Sequence, residues 1–376
     1  MVHCRLYLFS RIMKNIYSQF LKLSTDHPCL VLSTVTACAG STPQKPGSSA
    51  IFGKYGLISG TVGGGIVEAK VQEISQNSIA TKSSVYSEFT LNRNVTNGED
   101  AICGGQISIL IDADPHNHIL IFEEMARSIQ NRIPGVLITV ITGMSDSNVN
   151  ISRCWMTEKD KLPVNSHFLK DIEEEVDRIL SKNDPHDFRE MKLFLPGDET
   201  ASTILLEPVF PPLSLVIAGA GHIGKALAHL GYMLEYEVIV VDDRPEFANT
   251  RNIPDADKIV VNDIGSTLKS LNKHNDTYIV IVTRGHKDDA EALKACIGSE
   301  AGYIGMIGSR NKVATMRREF IENGWATEAQ FDLIHAPIGL DIKSKTVQEI
   351  AVSIAAEIIK IRNCGLRNSD CGLIKN

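Results

Sequence analysis

The chain lacks the features of membrane proteins and of nucleic-acid-binding proteins. Its 376 residues contain no apolar run close to the roughly 18 residues that a transmembrane helix needs. There is no block rich in lysine or arginine, and 45 acidic against 38 basic residues give a net charge of −7. Proteins that bind nucleic acid usually carry a basic stripe. We therefore expect no membrane and no nucleic-acid partner.

Paired cysteines and several catalytic motifs are missing as well. The eight cysteines are scattered without a C-x-x-C pair, so neither a zinc site nor a disulfide framework is expected. This cysteine usage predicts a reducing, cytoplasmic location. The apolar run at residues 6–9 is too short for the core of a secretion signal. The chain also has no H-E-x-x-H motif, no P-loop and no telling Ser-His-Asp spacing.

What the chain does have is a glycine-rich turn in the setting of a βαβ unit. A short buried-strand pattern leads directly into G-x-G-x-x-G at residues 219–224, and a helical pattern follows. A second apolar run at residues 237–241 ends in an acidic pair, at about the 20-residue offset typical of nucleotide-binding units. This context predicts that unpaired N–H groups at the helix start face the phosphate of a nucleotide.

The residues of this unit have separate predicted roles. Gly219 allows the tight turn, Gly221 lets a phosphate approach the backbone, and Gly224 lets the helix lie close to the strand. Asp242 is the natural partner of a ribose 2′-hydroxyl. Two interpretations of His222 stay open: a contact to phosphate or a part in proton transfer, and a histidine that only faces solvent.

The second half of the chain alternates regularly between strand and helix patterns. This alternation is typical of a Rossmann-like, parallel, doubly wound sheet. The first half mixes helix and strand patterns, which predicts an α+β domain, and prolines 208, 211 and 212 indicate a linker. We therefore expect an α/β protein with domains at residues 14–208 and 209–363. The predicted strands of the second half are residues 213–218, 238–241, 258–261, 277–282 and 302–307.

Two more loops of the second half carry polar side chains. Arg284 and His286 follow the fourth predicted strand, and Ser309 and Arg310 follow the fifth and open a helix. Ligands of doubly wound sheets bind at the carboxyl ends of the strands. Each loop on its own is explained by helix capping. Three such loops on one edge favour a shared pocket for an anionic ligand.

A second glycine-rich stretch, residues 60–68, lies in the first half. Gly63, Gly64 and Gly65 stand at a predicted strand-to-helix junction, where consecutive backbone N–H groups can form a nest for an anion. Glu68 lies one turn into the helix. Two interpretations stay open: Gly63–Gly65 and Glu68 form a ligand pocket, or the glycines make a tight turn and Glu68 favours the positive end of the helix.

Cys103 is the cysteine with the most open surroundings, because glycines follow it at positions 104 and 105. Nearby backbone N–H groups would lower the pKa of its thiol, and a thiolate can bind a soft metal or attack an electrophile. The alternative is a small buried thiol with a packing role. Cys103 is the candidate metal ligand of the chain.

Taken together, these motifs resemble the xanthine dehydrogenase accessory proteins, the molybdenum cofactor maturation chaperones of the XdhC/CoxI type. The resemblance runs from about residue 14 to residue 362 and is far more specific than a Rossmann fingerprint alone. The segments that carry it are residues 40–47, 60–68, 103–105, 219–224, 241–244, 283–286, 304–310 and 337–342.

The resemblance implies a function that spacing alone does not. Proteins of this family bind the molybdenum cofactor, protect it while its terminal sulfur is added, and pass it to a hydroxylase of the xanthine dehydrogenase class. The implied partners are that hydroxylase, a cysteine desulfurase and a second copy of the chain. Cys103 and the glycine-rich turns are then expected to contact the cofactor.

Two other functions remain compatible with the Rossmann-like unit, because one fold hosts many functions. The main alternative is an NAD-dependent oxidoreductase, with NAD(P) as its cofactor, although nothing in the first half indicates a site of hydride transfer. A regulatory protein that senses a nucleotide is the third hypothesis.

Overall fold

The computed structural model describes residues 15–91, 105–143, 148–158, 160, 167–182, 187–194 and 201–364. The chain divides into two compact units between Pro211 and Pro212. Each unit has hydrophobic cores of its own. Among the described residues, no helix is both long and apolar enough to cross a membrane.

The described residues of the first unit form two antiparallel sheets. The first sheet has the order β3-β2-β1-β5-β4 and the second has the order β7-β6-β9-β8. The strands are β1 (Val31–Ala39), β2 (Ser49–Gly53), β3 (Gly56–Gly60), β4 (Val85–Thr90), β5 (Gln106–Asp112), β6 (Gly135–Thr142), β7 (Asn150–Thr157), β8 (Arg189–Leu193) and β9 (Ser202–Val209).

In the described part of this unit, four helices cover the sheets. Apolar residues of α1 and α3 share one core with strands of both sheets, α2 packs on the first sheet, and α4 packs on the second. The Asn15 side chain caps α1 by accepting the Ser18 N–H at 3.0 Å. The helices are α1 (Ile16–Leu23), α2 (Gly65–Thr81), α3 (Ile119–Gln130) and α4 (His167–Lys182), and a 3-10 turn (Pro115–His118) precedes α3.

The second unit is a five-stranded parallel sheet with helices on both faces, which confirms the predicted Rossmann-like fold. The core on one face involves α5 and α10, and the core on the other face involves α6, α7 and α8. In chain order the elements are β10 (Ser214–Ala218), α5 (His222–Met233), β11 (Glu237–Asp242), β12 (Lys258–Val261), α6 (Ile264–Ser270), β13 (Thr277–Ile281), α7 (His286–Cys296), β14 (Tyr303–Met306), α8 (Arg310–Glu322), α9 (Glu328–Asp332) and α10 (Val347–Cys364).

The strand order of this sheet, β12-β11-β10-β13-β14, fixes where a ligand can bind. From β10 the chain builds outward to β11 and β12, and it then crosses back to add β13 and β14 on the other side. The order therefore reverses between β10 and β13. A crevice outside the carboxyl ends of the strands at such a switch point is the general binding place in open α/β sheets.

Candidate ligand-binding sites

The glycine turn after β10 has the close backbone contacts that its motif predicts. Gly219 has φ +120°, and a Cβ built on it would lie 2.4 Å from the Val282 carbonyl oxygen. A Cβ on Gly224 would lie 1.9 Å from the Gly219 carbonyl oxygen. At Gly221, by contrast, a Cβ would meet nothing within 4 Å. Two of the glycines are therefore needed for packing, and Gly221 faces open space.

The helix that follows this turn begins with backbone donors that no side chain caps. Gly221 is the N-cap of α5 and supplies no side-chain cap, and the first turn contains no acidic residue. In α7 the N-cap is Gly285, but Asp288 and Asp289 lie in the first turn. The first-turn N–H groups of α5 are thus suited to a phosphate, since no carboxylate of the helix itself offsets the partial positive charge there.

Asp242 lies at the end of β11, as expected, and its carboxylate binds groups of its own chain. One oxygen accepts the Ala220 N–H at 2.7 Å, and Arg244 donates to both oxygens through its backbone N–H and its guanidinium at 2.8–3.0 Å. Burial alone would raise the pKa of this carboxyl, but the hydrogen bonds from Arg244 and Ala220 outweigh it and lower the pKa. The guanidinium of Arg244 also stacks on Phe247, 4.1 Å from the ring centre.

Arg284 connects two loops of this edge. Its Nη2 lies 2.9 Å from an oxygen of Asp243, which follows β11, and its Nε lies 3.2 Å from Asp288 in α7. All three side chains are more than a third exposed. His286, at the start of α7, lies 3.0 Å from Glu319 of α8 and is exposed as well.

An ion pair with a buried carboxylate joins α7 and α8, the helices that follow β13 and β14. The Asp289 carboxylate is fully buried, accepts the Thr283 hydroxyl, and pairs with the Lys312 ammonium. Ser309 caps α8 by accepting the Lys312 N–H at 3.3 Å, and Arg310, the first residue of α8, is exposed. Lys312 was missed by sequence reasoning, because a lysine inside a helical pattern carries no signal of its own.

His222 borders a cavity on the α5 side. This pocket of about 630 Å³ lies among α5, α10 and the loop before β12. Lys225 and His229 of α5 contribute to its wall, and Asp255 faces them. The loops after β13 and β14 contribute no residue to it.

In the first unit, the structure places three motif segments against one another. A Cβ on Gly63 would lie 3.2 Å from Pro43 Cγ, and a Cβ on Gly105 would lie 2.5 Å from the Ser41 carbonyl oxygen. The loop at residues 40–47 therefore contacts both the glycine turn before α2 and the start of β5. Cys38, at the end of β1, donates its thiol hydrogen to the Gln44 carbonyl of the same loop at 3.3 Å.

Gly64 and Gly65 have φ +65° and +50°, and a Cβ on either would meet nothing within 4 Å. Glu68 reaches back over this turn: its carboxylate accepts the Thr61 hydroxyl at 2.8 Å and the Val62 N–H at 3.3 Å. Glu68 thus stabilises the strand-to-helix junction through these two hydrogen bonds. The backbone at Gly64 and Gly65 is not covered by neighbouring atoms. Cys103 lies outside the described residues.

Two family models match the chain. The XdhC Rossmann domain matches residues 215–358, and the XdhC and CoxI family matches residues 25–89, so that together they span more than half of the chain. The chain belongs to the XdhC family. The two matched regions of this XdhC-family chain include the glycine turns of both units.

Two curated relatives and one solved structure are similar to this chain. A protein of Bacillus subtilis strain 168, named as a probable xanthine dehydrogenase subunit, is 25% identical over 93% of this chain and 98% of its own length. An uncharacterized protein of Escherichia coli K12, YqeB, is 33% identical over 150 residues, which is 40% of this chain and only 27% of that protein. A crystal structure from Bacillus halodurans, described as a xanthine dehydrogenase, superposes with a TM-score of 0.71 at 20% identity over 94% of this chain and 97% of that one, which shows a shared fold.

The XdhC-family motifs thus fall into two groups, one in each unit. In the second unit the hydrogen bonds of Asp242, Asp243 and Arg284 link the loops after β10, β11 and β13, and Asp289 of α7 joins the loop after β13 to α8. In the first unit the contacts of Gly63 and Gly105 gather the turn, the 40–47 loop and β5.

Proposed function

We propose that this protein is a molybdenum-cofactor chaperone: it binds the cofactor as cargo, protects it while the terminal sulfur is added, and inserts it into a hydroxylase of the xanthine dehydrogenase class. The observation that carries the proposal is the meeting of three family motifs in the first unit, where the 40–47 loop contacts both Gly63 and Gly105. Because the chain belongs to the XdhC family, we interpret these contacts as part of a binding site for the cofactor.

The chemistry of the cargo suits the backbone of both units. The cofactor is a pterin with a phosphate, which bacteria often extend by a nucleotide. Open backbone at Gly64 and Gly65 can approach a phosphate or a pterin edge without a Cβ in the way. The uncapped first turn of α5 offers the second anion site. A thiolate suits molybdenum and sulfur, so Cys103 remains the predicted soft ligand.

The proposal includes a set of partners. The receiving hydroxylase is one partner, and a cysteine desulfurase that supplies the sulfur is another. We propose that the protein works as a homodimer in the cytoplasm. The Bacillus subtilis relative, which bears the name of a xanthine dehydrogenase component, supports the first of these partners.

An NAD-dependent oxidoreductase is the second candidate, since the turn at Gly219–Gly224 has the backbone geometry of a dinucleotide site. The hydrogen bonds of Asp242 weigh against it. Both oxygens of the carboxylate that would bind the ribose are taken up by Arg244, and one of them also accepts the Ala220 N–H. Binding a ribose diol there would require breaking a buried, charge-assisted set of bonds.

The test is retention of cargo. The protein is purified from a host fed with molybdate, and bound pterin is measured by its fluorescence after oxidation. We expect pterin to co-purify, and we expect Cys103→Ala to weaken its retention without loss of fold. Cys29→Ala, at an exposed cysteine, is the matched control and should retain pterin normally. Co-purified nicotinamide with hydride exchange, and no pterin, would favour the oxidoreductase instead.

A further inference from the structure

The ion pair between Asp243 and Arg284 crosses the crevice at the switch point. Asp243 follows β11 and Arg284 follows β13, and these two strands are the neighbours of β10 in the sheet. Neighbouring strands lie about 4.8 Å apart, so the pair bridges about twice that distance. Its 2.9 Å contact therefore passes over the carboxyl end of β10, where the glycine turn begins.

This pair differs from the two cation–carboxylate pairs of the same edge whose carboxylates are buried. Arg244 and Lys312 bind Asp242 and Asp289, whose side chains are only 2% and 0% exposed, so these pairs are part of the packed structure. The side chains of Arg284 and Asp243 are 53% and 45% exposed. An ion pair that exposed adds little to stability, and its partners can be exchanged at small cost.

The helices that follow β10 and β13 both begin at a glycine that faces open space. A Cβ on Gly221 or on Gly285, the N-caps of α5 and α7, would meet nothing within 4 Å. Arg284 is next to Gly285 in the chain, and the first-turn N–H groups of α5 lie just beyond Gly221. A phosphate held by α5 would thus lie in the crevice that Arg284 spans.

We propose that Asp243 and Arg284 form a gate pair that a phosphorylated ribonucleoside opens by exchange. The phosphate takes the Arg284 guanidinium from Asp243, and the released Asp243 carboxylate accepts hydrogen bonds from the ribose hydroxyls. Asp243 does this in place of Asp242, whose oxygens are held by Ala220 and Arg244. This gate rests on the proposed anion site at α5 and adds its ligand class, a ribonucleotide.

Two binding measurements on the full-length chain test the gate. The first titrates inorganic phosphate, for which Asp243 is only a competitor. Asp243→Asn removes the competing charge, so phosphate should bind about two- to five-fold more tightly, the strength of an exposed ion pair. Arg284→Met keeps the stem but removes the guanidinium, and binding should fall on the order of tenfold.

The second measurement compares AMP, CMP and GMP with their 2′-deoxy counterparts. The wild-type chain should prefer the ribo form on the order of tenfold, the strength of a hydrogen bond to a carboxylate, and Asp243→Asn should bring the ratio close to one. Asp332→Asn is the matched control, because Asp332 and Arg317 form an Arg–Asp pair of the same 2.9 Å length away from these loops. Its affinities and ratios should equal those of the wild type.

Each outcome decides one question. Weaker phosphate binding in Asp243→Asn, or a ribo-to-deoxy ratio unchanged from the wild type, overturns the gate. A wild-type chain that binds neither phosphate nor any nucleotide overturns both the gate and the anion site at α5. Pterin retention is a separate readout: a chain that keeps pterin but shows an unchanged ratio in Asp243→Asn retains the proposed function without the gate. Circular dichroism confirms that each variant is folded.

Discussion

Glu207, on β9, is a buried carboxylic acid inside the first unit. The Tyr17 hydroxyl of α1 donates to it, and the nearby Arg153 of β7 is paired with Asp112 of β5 and contacts His118 of the 3-10 turn at 3.1 Å. Burial raises the pKa of Glu207 to about 7, although the hydrogen bond from Tyr17 and the charge of Arg153 act in the opposite direction. The one full positive charge of this cluster already has Asp112 as its partner.

The raised pKa predicts that the first unit loses stability as pH rises. An unfolded glutamate releases its proton near pH 4.5, whereas folded Glu207 keeps its proton up to about pH 7. Between these values the unfolded state binds fewer protons, so the free energy of unfolding falls, by about 3 kcal/mol in total. Glu207→Gln keeps the size and a partner for Tyr17 but cannot ionise, and should be more stable than the wild type at pH 8.

Urea unfolding at pH 5 and pH 8 measures this effect. The chain has two tryptophans, and Trp155 lies in a core of the first unit. A Trp325→Phe background therefore lets fluorescence report the first unit alone. Glu73→Gln, at an exposed position of α2, is the control and should keep the wild-type pH dependence. A Glu207→Gln chain that loses as much stability as the wild type between pH 5 and pH 8 would contradict the prediction.

The glycine turn gives a second prediction at this scale, with two substitutions that should act oppositely. Gly221→Val should leave the fold intact, because its φ of −71° suits valine and its Cβ meets nothing within 4 Å. The side chain fills the space above the turn, so phosphate and nucleotide binding should be lost. Gly224→Ala should instead lower the melting temperature, since its Cβ would lie 1.9 Å from a carbonyl oxygen. Normal affinity in a folded Gly221→Val chain would make the turn purely structural.

Single residues show where sequence reasoning reaches its limit. The spacing of the motif placed Asp242 at the end of β11, because strand length and a G-x-G-x-x-G turn fix that position. The direction of its carboxylate depends on donors from two loops, Ala220 and Arg244. No local sequence pattern predicts which groups the Asp242 carboxylate binds. Nor does the sequence indicate that Asp242 is buried whereas its neighbour Asp243 is exposed.

At the scale of elements, α10 shows a case in which local sequence is sufficient. The Thr346 hydroxyl accepts the Glu349 N–H at 3.2 Å, and the Glu349 carboxylate accepts the Lys345 and Thr346 N–H groups at 2.6 and 3.0 Å. These backbone hydrogen bonds lower the pKa of Glu349. The local T-x-x-E sequence thus forms the capping box that is typical of it, and Ile354 and Ile358, four residues apart, lie in the core.

Removing this cap should loosen the start of α10. Thr346→Ala should cost about 1 kcal/mol of unfolding free energy, the usual cost of a lost N-cap. Thr346→Ser keeps the hydroxyl and is the matched control. Hydrogen exchange of peptides that cover the first turns of α10 should speed up in the alanine variant and stay near wild type in the serine variant. Equal protection in all three chains would show that packing alone holds this end.

β7 and β8 show the opposite case, because residues 146–201 contain no clear strand pattern. β7 contains Arg153 in its middle, which breaks the expected alternation of apolar and polar residues. The structure buries this arginine against Asp112 of another sheet, so its place depends on a contact 41 residues away. β7 also pairs with β6 along its whole length, and this pairing fixes its position in the second sheet.

At the scale of the whole molecule, the two units differ in how far sequence predicts them. The fully buried strands β10 and β13 give continuous apolar runs, and the right-handed connections of a parallel sheet leave few topologies. In the first unit β1 pairs with β5, which lies about 70 residues later in the chain. The local pattern of apolar and polar residues predicts strands but does not indicate which distant strand each one pairs with. The α+β class was predictable there, but the division into two sheets was not.

Separate cores predict that a ligand of the second unit stabilises that unit selectively. Trp155 belongs to the core of the first unit, and Trp325 packs on Phe320 in the second, with ring centres 5.4 Å apart. Single-tryptophan chains made by Trp155→Phe and Trp325→Phe therefore report the units one at a time.

A nucleotide at 100 times its dissociation constant should stabilise the Trp325-reported transition by about 2.7 kcal/mol and leave the Trp155-reported transition unchanged. With Gly221→Val in the same backgrounds neither transition should move, because the phosphate has no room above the turn. A shift seen only through Trp155 would place the nucleotide site in the first unit and contradict the assignment to the turn after β10.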